Sequence, residues 1–272
     1  MSLIIFTDLD GTLLNHENYD YRAALPILAK LKELNIPVIP VTSKTRAEVA
    51  NLRSEIGLND PFIVENGSGI FLPQIDNRFA SDELTLEDNY YLKRLGCTYI
   101  EARAGLRIIQ SEIREILRGF GDFSDVEVAT LTGLSHLKAK QAKAREFSEP
   151  FVTPKEVSTD ELEAAAAEYG FRILIGDRFC HLIGADAGKG KAVNWLLNYY
   201  RSTVSTDKIV TIGLGNSPND LEMLETVDIP IAIASQQGIH PDLANRGWLV
   251  PQSPGAAGWA EAVADILEKN LG

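Results

Sequence analysis

Asp8 and Asp10 stand two residues apart at the end of the apolar run Leu3-Ile4-Ile5-Phe6-Thr7, with Gly11 and Thr12 directly after them. Carboxylates this close repel one another unless a cation or a shared proton intervenes, so the spacing points to a divalent metal or to divided roles in proton transfer. A solvated Asp-Gly turn is the rival reading. Three further polar clusters bear on the choice. Thr42-Ser43-Lys44-Thr45-Arg46 offers hydroxyls and cations suited to phosphate oxygens, or simply a helix N-cap. Gly188-Lys189-Gly190-Lys191 offers an ammonium and a positive helix end to an anion, or a solvated lysine. It lacks the GxxxxGK[ST] spacing of a nucleotide-binding phosphate loop. Gly213-Leu214-Gly215-Asn216-Ser217-Pro218-Asn219-Asp220 supplies amide and carboxylate oxygens for a hard metal, with a helix cap by Asn216 or Ser217 as the alternative. Taken jointly, four such clusters favour a phosphate and magnesium site.

These residues need a scaffold that brings them to one edge. An unbroken apolar run suits a strand of a parallel sheet covered on both faces, and its alternation puts Asp8 and Asp10 on the same side at the carboxyl end. Open α/β sheets bind ligands at that end. The pattern predicts a helix over 22–34, a strand over 36–41, a helix over 45–56 and a strand over 62–64. The same alternation resumes with a helix over 189–200 and a strand over 209–212. A short helix over 217–226, a strand over 229–233 and a helix over 256–267 then follow. The expected architecture is therefore α/β, a doubly wound and mainly parallel sheet built from 1–83 and 186–272. Residues 84–185 read differently, with strand-like pieces at 97–100 and 171–175 and helical pieces at 106–117 and 160–169. That segment is expected to be an inserted α+β domain, hinged near 80–84 and 184–188.

Composition sets the outer bounds. With 272 residues, 45% hydrophobic and 24% charged, the chain has material for two domains. A formal charge of −12 argues against general nucleic-acid binding and requires a local cationic pocket for any phosphorylated ligand. No apolar stretch approaches the roughly 20 residues that span a bilayer, and no signal peptide is apparent, so a cytoplasmic enzyme without a membrane partner is expected. Cys97 and Cys180 carry no metal or disulfide spacing. Oligomeric state is not legible.

The DLDGT stretch at 8–12, the hydroxyl pair Thr42 and Ser43, Lys189 and the Asn219-Asp220 pair resemble the four motifs of the haloacid dehalogenase superfamily. VTSKTR at 41–46, ENGSGIF at 65–71, GFGD at 119–122, LTGL at 131–134, AREFSEPF at 144–151 and RFCHLIG at 178–184 are similar to its mannosyl-3-phosphoglycerate phosphatase branch. The resemblance implies a Rossmann-like core with a substrate-selecting cap. It also implies magnesium-dependent phosphatase chemistry on a glycosyl-3-phosphoglycerate, with mannosyl the first expectation. Asp8 would be the nucleophile that forms an aspartyl-phosphate, and Asp10 the general acid and base. Magnesium would be held by Asp8, the backbone carbonyl of Asp10, Asn216 and Asp220, and the phosphate by Thr42, Ser43, Lys189 and Asn219. On the cap side, Arg145 would fork a carboxylate while Glu146, Ser148 and His181 meet hydroxyls. Lys44 and Arg46 would share the phosphoglycerate end from the core side. A solvated Arg-Glu pair and a histidine merely lying on a strand remain the plain readings of those cap residues.

One departure stands out. The superfamily motif places an aspartate where this chain has Asn216, removing one negative charge from the expected metal shell. It keeps alive a sugar-phosphate-binding protein that has lost most catalysis. A glucosyl ester or another sugar phosphate is the alternative substrate.

Overall fold

The computed structural model describes residues 2–74, 79, 83–153, 157–176, 179–203 and 208–271. Part of the expected hinge at 80–84, and Arg178 of the motif at 178–184, lie outside the described residues. In chain order, the first half runs β1 (Ser2–Thr7), α1 (Leu25–Glu33), β2 (Val38–Pro40), α2 (Arg46–Ile56), β3 (Phe62–Val64), β4 (Gly69–Pro73), β5 (Thr85–Glu87) and β6 (Tyr90–Arg94). Then come α3 (Tyr99–Ile113), β7 (Arg118–Gly119), α4 (Asp125–Thr132), α5 (His136–Lys143), β8 (Glu149–Val152), α6 (Thr159–Glu168), β9 (Phe171–Ile175) and β10 (Cys180–Gly184). The chain closes with α7 (Lys189–Thr203), β11 (Ile209–Gly215), α8 (Leu221–Leu224), β12 (Ile229–Ala232) and α9 (Gly255–Leu271).

The parallel sheet has the order β12-β11-β1-β2, with β1 inside it. Alternation along β1 explains why its apolar run is unbroken. Leu3 and Ile5 pack with Leu28 and Leu31 of α1 and Val263 of α9, whereas Ile4 and Phe6 pack with Val193 and Leu196 of α7. Each fully covered side chain of this kind is worth roughly 1.5–3 kcal/mol relative to exposure. A polar substitution at Ile5 or Phe6 would therefore undo one face of the sheet. A parallel bridge from Val41 to Ile63 extends the sheet to β3, beyond which β3-β4-β6-β5 is antiparallel. Of the strands that an inserted unit starting at 84 would include, β6 thus pairs with β4, and β5 pairs with β6.

The other sheet, β7-β8-β10-β9, is antiparallel, and α3 and α6 cover it through Leu106, Ile109, Leu162 and Ala166. A smaller cluster of Phe120, Phe123, Val128 and Ala139 holds α4 and α5. The strand expected at 97–100 is instead the start of α3. Thr98 caps that helix in a reciprocal box with Glu101, and this local bonding outweighs the apolar alternation of Cys97 and Tyr99. The helix expected at 106–117 begins earlier and stops at Ile113, where Arg114 turns left-handed at φ 58°.

Candidate active site

β1 ends at Thr7, so Asp8 and Asp10 emerge in the turn at its carboxyl end, and Asp8 is still tied to the sheet by its amide bond to the Leu214 carbonyl (2.9 Å). Gly11, at φ +82°, makes that turn possible; a Cβ there would strike the Asn216 carboxamide. Beneath the pair, Lys189 enters from the first turn of α7. Its Nζ donates to Asp8 Oδ1 (2.7 Å) and to Asp220 Oδ1 (2.6 Å), and it is 1% exposed. Asp220 Oδ2 accepts from the amides of Asn216 (2.9 Å) and Ser217 (3.1 Å), so this carboxylate shapes the loop after β11 as well as holding the lysine. Both its oxygens are thereby engaged, although it was expected to ligate a metal.

Charge in this floor does not cancel. Burial pushes the Asp8 carboxyl up, Lys189 pulls it back down and Asp220 pushes it up again. Burial would strip Lys189 of its proton, but Asp220 and Asp8 outweigh that and raise it. One ammonium between two carboxylates leaves one negative charge uncompensated in a dry place, which suits a further cation. Asp8 Oδ2 takes no hydrogen bond among the described residues, and Asn216 Oδ1 accepts only from Thr12 Oγ1 (3.1 Å). Hard oxygens of this type match a divalent ion such as magnesium.

Asp8, Asp10, Ser43, Lys44, Arg145, His181, Asn216 and Asn219 all line one cavity of about 670 Å³. Lys44 Nζ lies 2.7 Å from Asp10 Oδ2 and 3.7 Å from Glu48; burial works against its charge, but those two carboxylates raise it. Thr42 is buried behind Lys44, its Oγ1 accepting the Lys44 amide (3.2 Å). Asn219 Nδ2 donates to Asn66 Oδ1 (3.3 Å) and its own Oδ1 accepts from Ser217 (2.6 Å). His181, on β10, is held down at about 3 by burial and by the charges of Arg145 and Lys189, so it is neutral at ordinary pH. The wall facing the carboxylates includes Phe120, Leu134, Leu174 and Phe179.

Arg46, Glu146 and Ser148, also expected to meet substrate, are not on that cavity. Arg46 bonds Glu146 (3.0 Å), Glu87 (3.0 Å) and Asp88 (2.8 Å). The Glu146 amide and the Ser148 hydroxyl both donate to Glu65 (2.8 and 2.6 Å), as does the Phe147 amide (3.2 Å). Arg145 reaches Glu65 at 3.5 Å while donating to the Ser43 carbonyl (3.1 Å). These bonds join the loop after β3 to the segment before β8 and give Glu146 a carboxyl that burial, with help from Glu87 and Glu65, raises to about 7 despite Arg46.

Reasoning from residue types missed Glu65, Asn66, His16, Tyr19 and Glu48. The last four line the cavity, and Tyr19 lies under the ammonium groups of Lys44 and Lys138 at 5.1 and 5.3 Å. The Asn66-Gly67 pair was the available signal, because Asn-Gly favours a left-handed turn and Glu65, Asn66 and Gly67 adopt φ 49°, 58° and 88°. Nothing in the local pattern announces Glu65, whose partners lie 81 to 83 residues away.

Residues 5–102 and 133–239 match the family of haloacid dehalogenase-like hydrolases. The chain is 39% identical over 267 residues to a protein of Persephonella marina named glucosyl-3-phosphoglycerate/mannosyl-3-phosphoglycerate phosphatase, covering 98% of each. A protein of the same name from Methanococcoides burtonii is 38% identical, with 99% of each covered. Among solved structures, a sucrose-phosphatase from Synechocystis sp. PCC6803 superposes with a TM-score of 0.63 at 16% identity, covering 97% of this chain and 98% of that one. A Bacteroides thetaiotaomicron phosphatase of the haloalkanoate superfamily reaches 0.69 at 14% identity, covering 99% and 95%. These two likenesses establish the fold, a doubly wound core carrying an additional α+β unit.

Proposed function

Because the chain belongs to the haloacid dehalogenase-like hydrolases and is a phosphoric monoester hydrolase, we propose that it hydrolyses a glycosyl-3-phosphoglycerate, accepting the mannosyl and glucosyl esters. The observation that carries this reading is the buried Asp8–Lys189–Asp220 arrangement beside a cavity that also contains Arg145. A carboxylate oxygen of Asp8 attacks phosphorus, forming a phosphoaspartate as the ester P–O bond breaks, and the departing glycerate oxygen takes a proton from Asp10. Water then gives a proton to Asp10 and attacks the phosphoaspartate, releasing inorganic phosphate and restoring Asp8.

Lys44 fixes the Asp10 carboxylate through Oδ2, leaving Oδ1, which is buried and without a hydrogen-bond partner among the described residues, to handle the proton. Lys189 holds Asp8 in one orientation from beneath, and Ser43 and Asn219, on the cavity, face the oxygens that do not react, with Thr42 buried behind them. Asp8, the carbonyl of Asp10 and Asn216 would hold magnesium, with Asp220 acting through Lys189 and the loop. When bound, the ion offsets repulsion between carboxylate and phosphate.

The cavity accommodates a disaccharide-sized leaving group, within the usual range for small-molecule sites. Arg145 Nη1 has no acceptor among the described residues and is the group for the substrate carboxylate, while neutral His181 suits a sugar hydroxyl. Residues 1–83 and 186–272 form the catalytic part of this proposal, joined by β5 and β6, and the antiparallel unit selects the substrate. Among the described residues no helix is long and apolar enough to cross a membrane; a cytoplasmic setting belongs to the same proposal.

Phosphate release from mannosyl- and glucosyl-3-phosphoglycerate with magnesium, using Asp8→Asn as control, tests the reading. Turnover of either ester well above the control is expected. Rates equal to Asp8→Asn for both, with ligand still bound, would replace the enzyme by a binding protein.

A further inference from the structure

Lys189 depends on two chain segments, the approach to α7 that delivers it and the start of α8 that delivers Asp220. A single arginine of the antiparallel unit touches both. Arg172, on β9, donates through Nη1 to the Ala187 carbonyl (3.0 Å), two residues before Lys189. Through Nη2 it donates to Glu222 Oε1 (2.5 Å), two residues after Asp220. The other surroundings of this segment leave little slack. A Cβ on Gly67 would overlap the Gly188 carbonyl, and one on Gly190 would overlap the Glu222 carbonyl, so the backbone around Lys189 is wedged between the turn after β3 and α8. The Arg172 fork closes the side that these contacts leave open.

We propose that Arg172 is a positioning residue for Lys189, coupling the seating of the inserted unit to the geometry of the phosphate site. The pair is part-exposed, with side chains 29% and 41% accessible, so it contributes little to global stability. What it fixes is register. When the inserted unit sits down, the bidentate fork holds Ala187 and Glu222 at a set separation and with them the two partners of one ion pair. When the unit lifts, Lys189 loses that constraint while its bonds to Asp8 and Asp220 persist in a looser frame.

Only the turnover assays rest on the phosphatase reading. Arg172→Gln, Arg172→Lys and Glu222→Gln are compared with wild type on p-nitrophenyl phosphate and on the glycosyl esters, with orthovanadate binding followed by calorimetry. Arg172→Gln is expected to lower kcat about tenfold on every ester hydrolysed, since small misplacements at a reacting centre have effects of this order or larger. KM should stay within about twofold, and vanadate affinity should fall in proportion to kcat. Arg172→Lys, able to keep one of the two bonds, should restore part of each loss, and Glu222→Gln should fall between. The melting temperature should move by less than about 4 °C.

Unchanged kcat and vanadate affinity in Arg172→Gln would overturn the proposal. So would a rise in KM confined to the glycosyl esters, which would make Arg172 a closure or substrate contact. A loss of activity that tracks melting temperature and is not repaired by Arg172→Lys would make it structural. If the wild-type protein hydrolyses none of these esters, the function proposed above fails. Vanadate affinity and the Lys189 position in a crystal of Arg172→Gln then still decide this inference.

Discussion

Two buried charge clusters lie within one cavity's reach of each other, and they differ in how completely their bonds are filled. In the cluster around Glu65, a single carboxylate accepts from two backbone amides and a hydroxyl and lies beside the Arg145 guanidinium. In the cluster around Lys189, one ammonium is divided between two carboxylates, and Asp8 keeps an oxygen without a donor among the described residues. The Glu65 carboxylate is saturated and therefore holds elements together. The second cluster is short of positive charge and therefore has something left to do. A buried ionic group says little by itself; whether its bonding is complete separates an anchor from a reagent.

The largest effect that can break this contrast is on turnover. Asp8→Asn should reduce phosphate release by about 10⁴-fold or more while circular dichroism stays native. Glu65→Ala should do the reverse in kind. It leaves the amides of Glu146 and Phe147 and the Arg145 guanidinium without their acceptor, and denaturant unfolding should report a loss of about 3–5 kcal/mol at unchanged m. If Asp8→Asn unfolded the protein, or Glu65→Ala silenced a protein of normal stability, the roles assigned to the two clusters would be exchanged.

A smaller effect sharpens the seam. Glu146 has its carboxyl raised from 4.5 to about 7, chiefly by burial. Between those values the native chain holds a proton that the unfolded chain has released, so stability falls as pH rises through the window and is highest, for this group, below about 4.5. The full shift corresponds to about 3 kcal/mol. Partial exposure reduces that to about 2 kcal/mol. Glu146→Gln should flatten the stability profile between pH 4.5 and 7, and an unchanged slope would remove Glu146 from the account. The smallest effect concerns the charge deficit itself. Asn216→Asp adds the missing negative charge beside Thr12, and the magnesium concentration for half-maximal activity should drop about tenfold. A requirement that is unchanged or higher would place the ion away from Asn216.

The division between what residue types reveal and what they hide follows the range of the interactions. β1, the strand at 62–64 and the helix from Lys189 were legible because burial on one or two faces writes itself as local periodicity. That Asp8, Asp10, Asn216 and Asn219 lie together on one cavity, with Lys189 bonded to Asp8, was legible because strand ends and helix starts converge on one edge of a doubly wound sheet. The start of α3 departs from the strand expected at 97–100 because Thr98 and Glu101 form a capping box, which apolar alternation does not display. The pairing of β6 with β4, and the anchoring of residues 146–148 to Glu65, were illegible for another reason. They depend on partners that no window of sequence contains.

The pairing of β1 with β11 carries a cost during synthesis. Ser2 pairs with Ile209 and Thr7 with Leu214, so this apolar strand receives that neighbour more than two hundred residues later. At about 5–20 residues per second, this edge waits roughly 10–40 s on the ribosome. β2 can cover one side of β1 early, but the side that will face β11 stays open until Ile209–Leu214 have emerged. The nascent protein is therefore most prone to misassociate in the interval before Lys189 and Asp220 have been translated and docked.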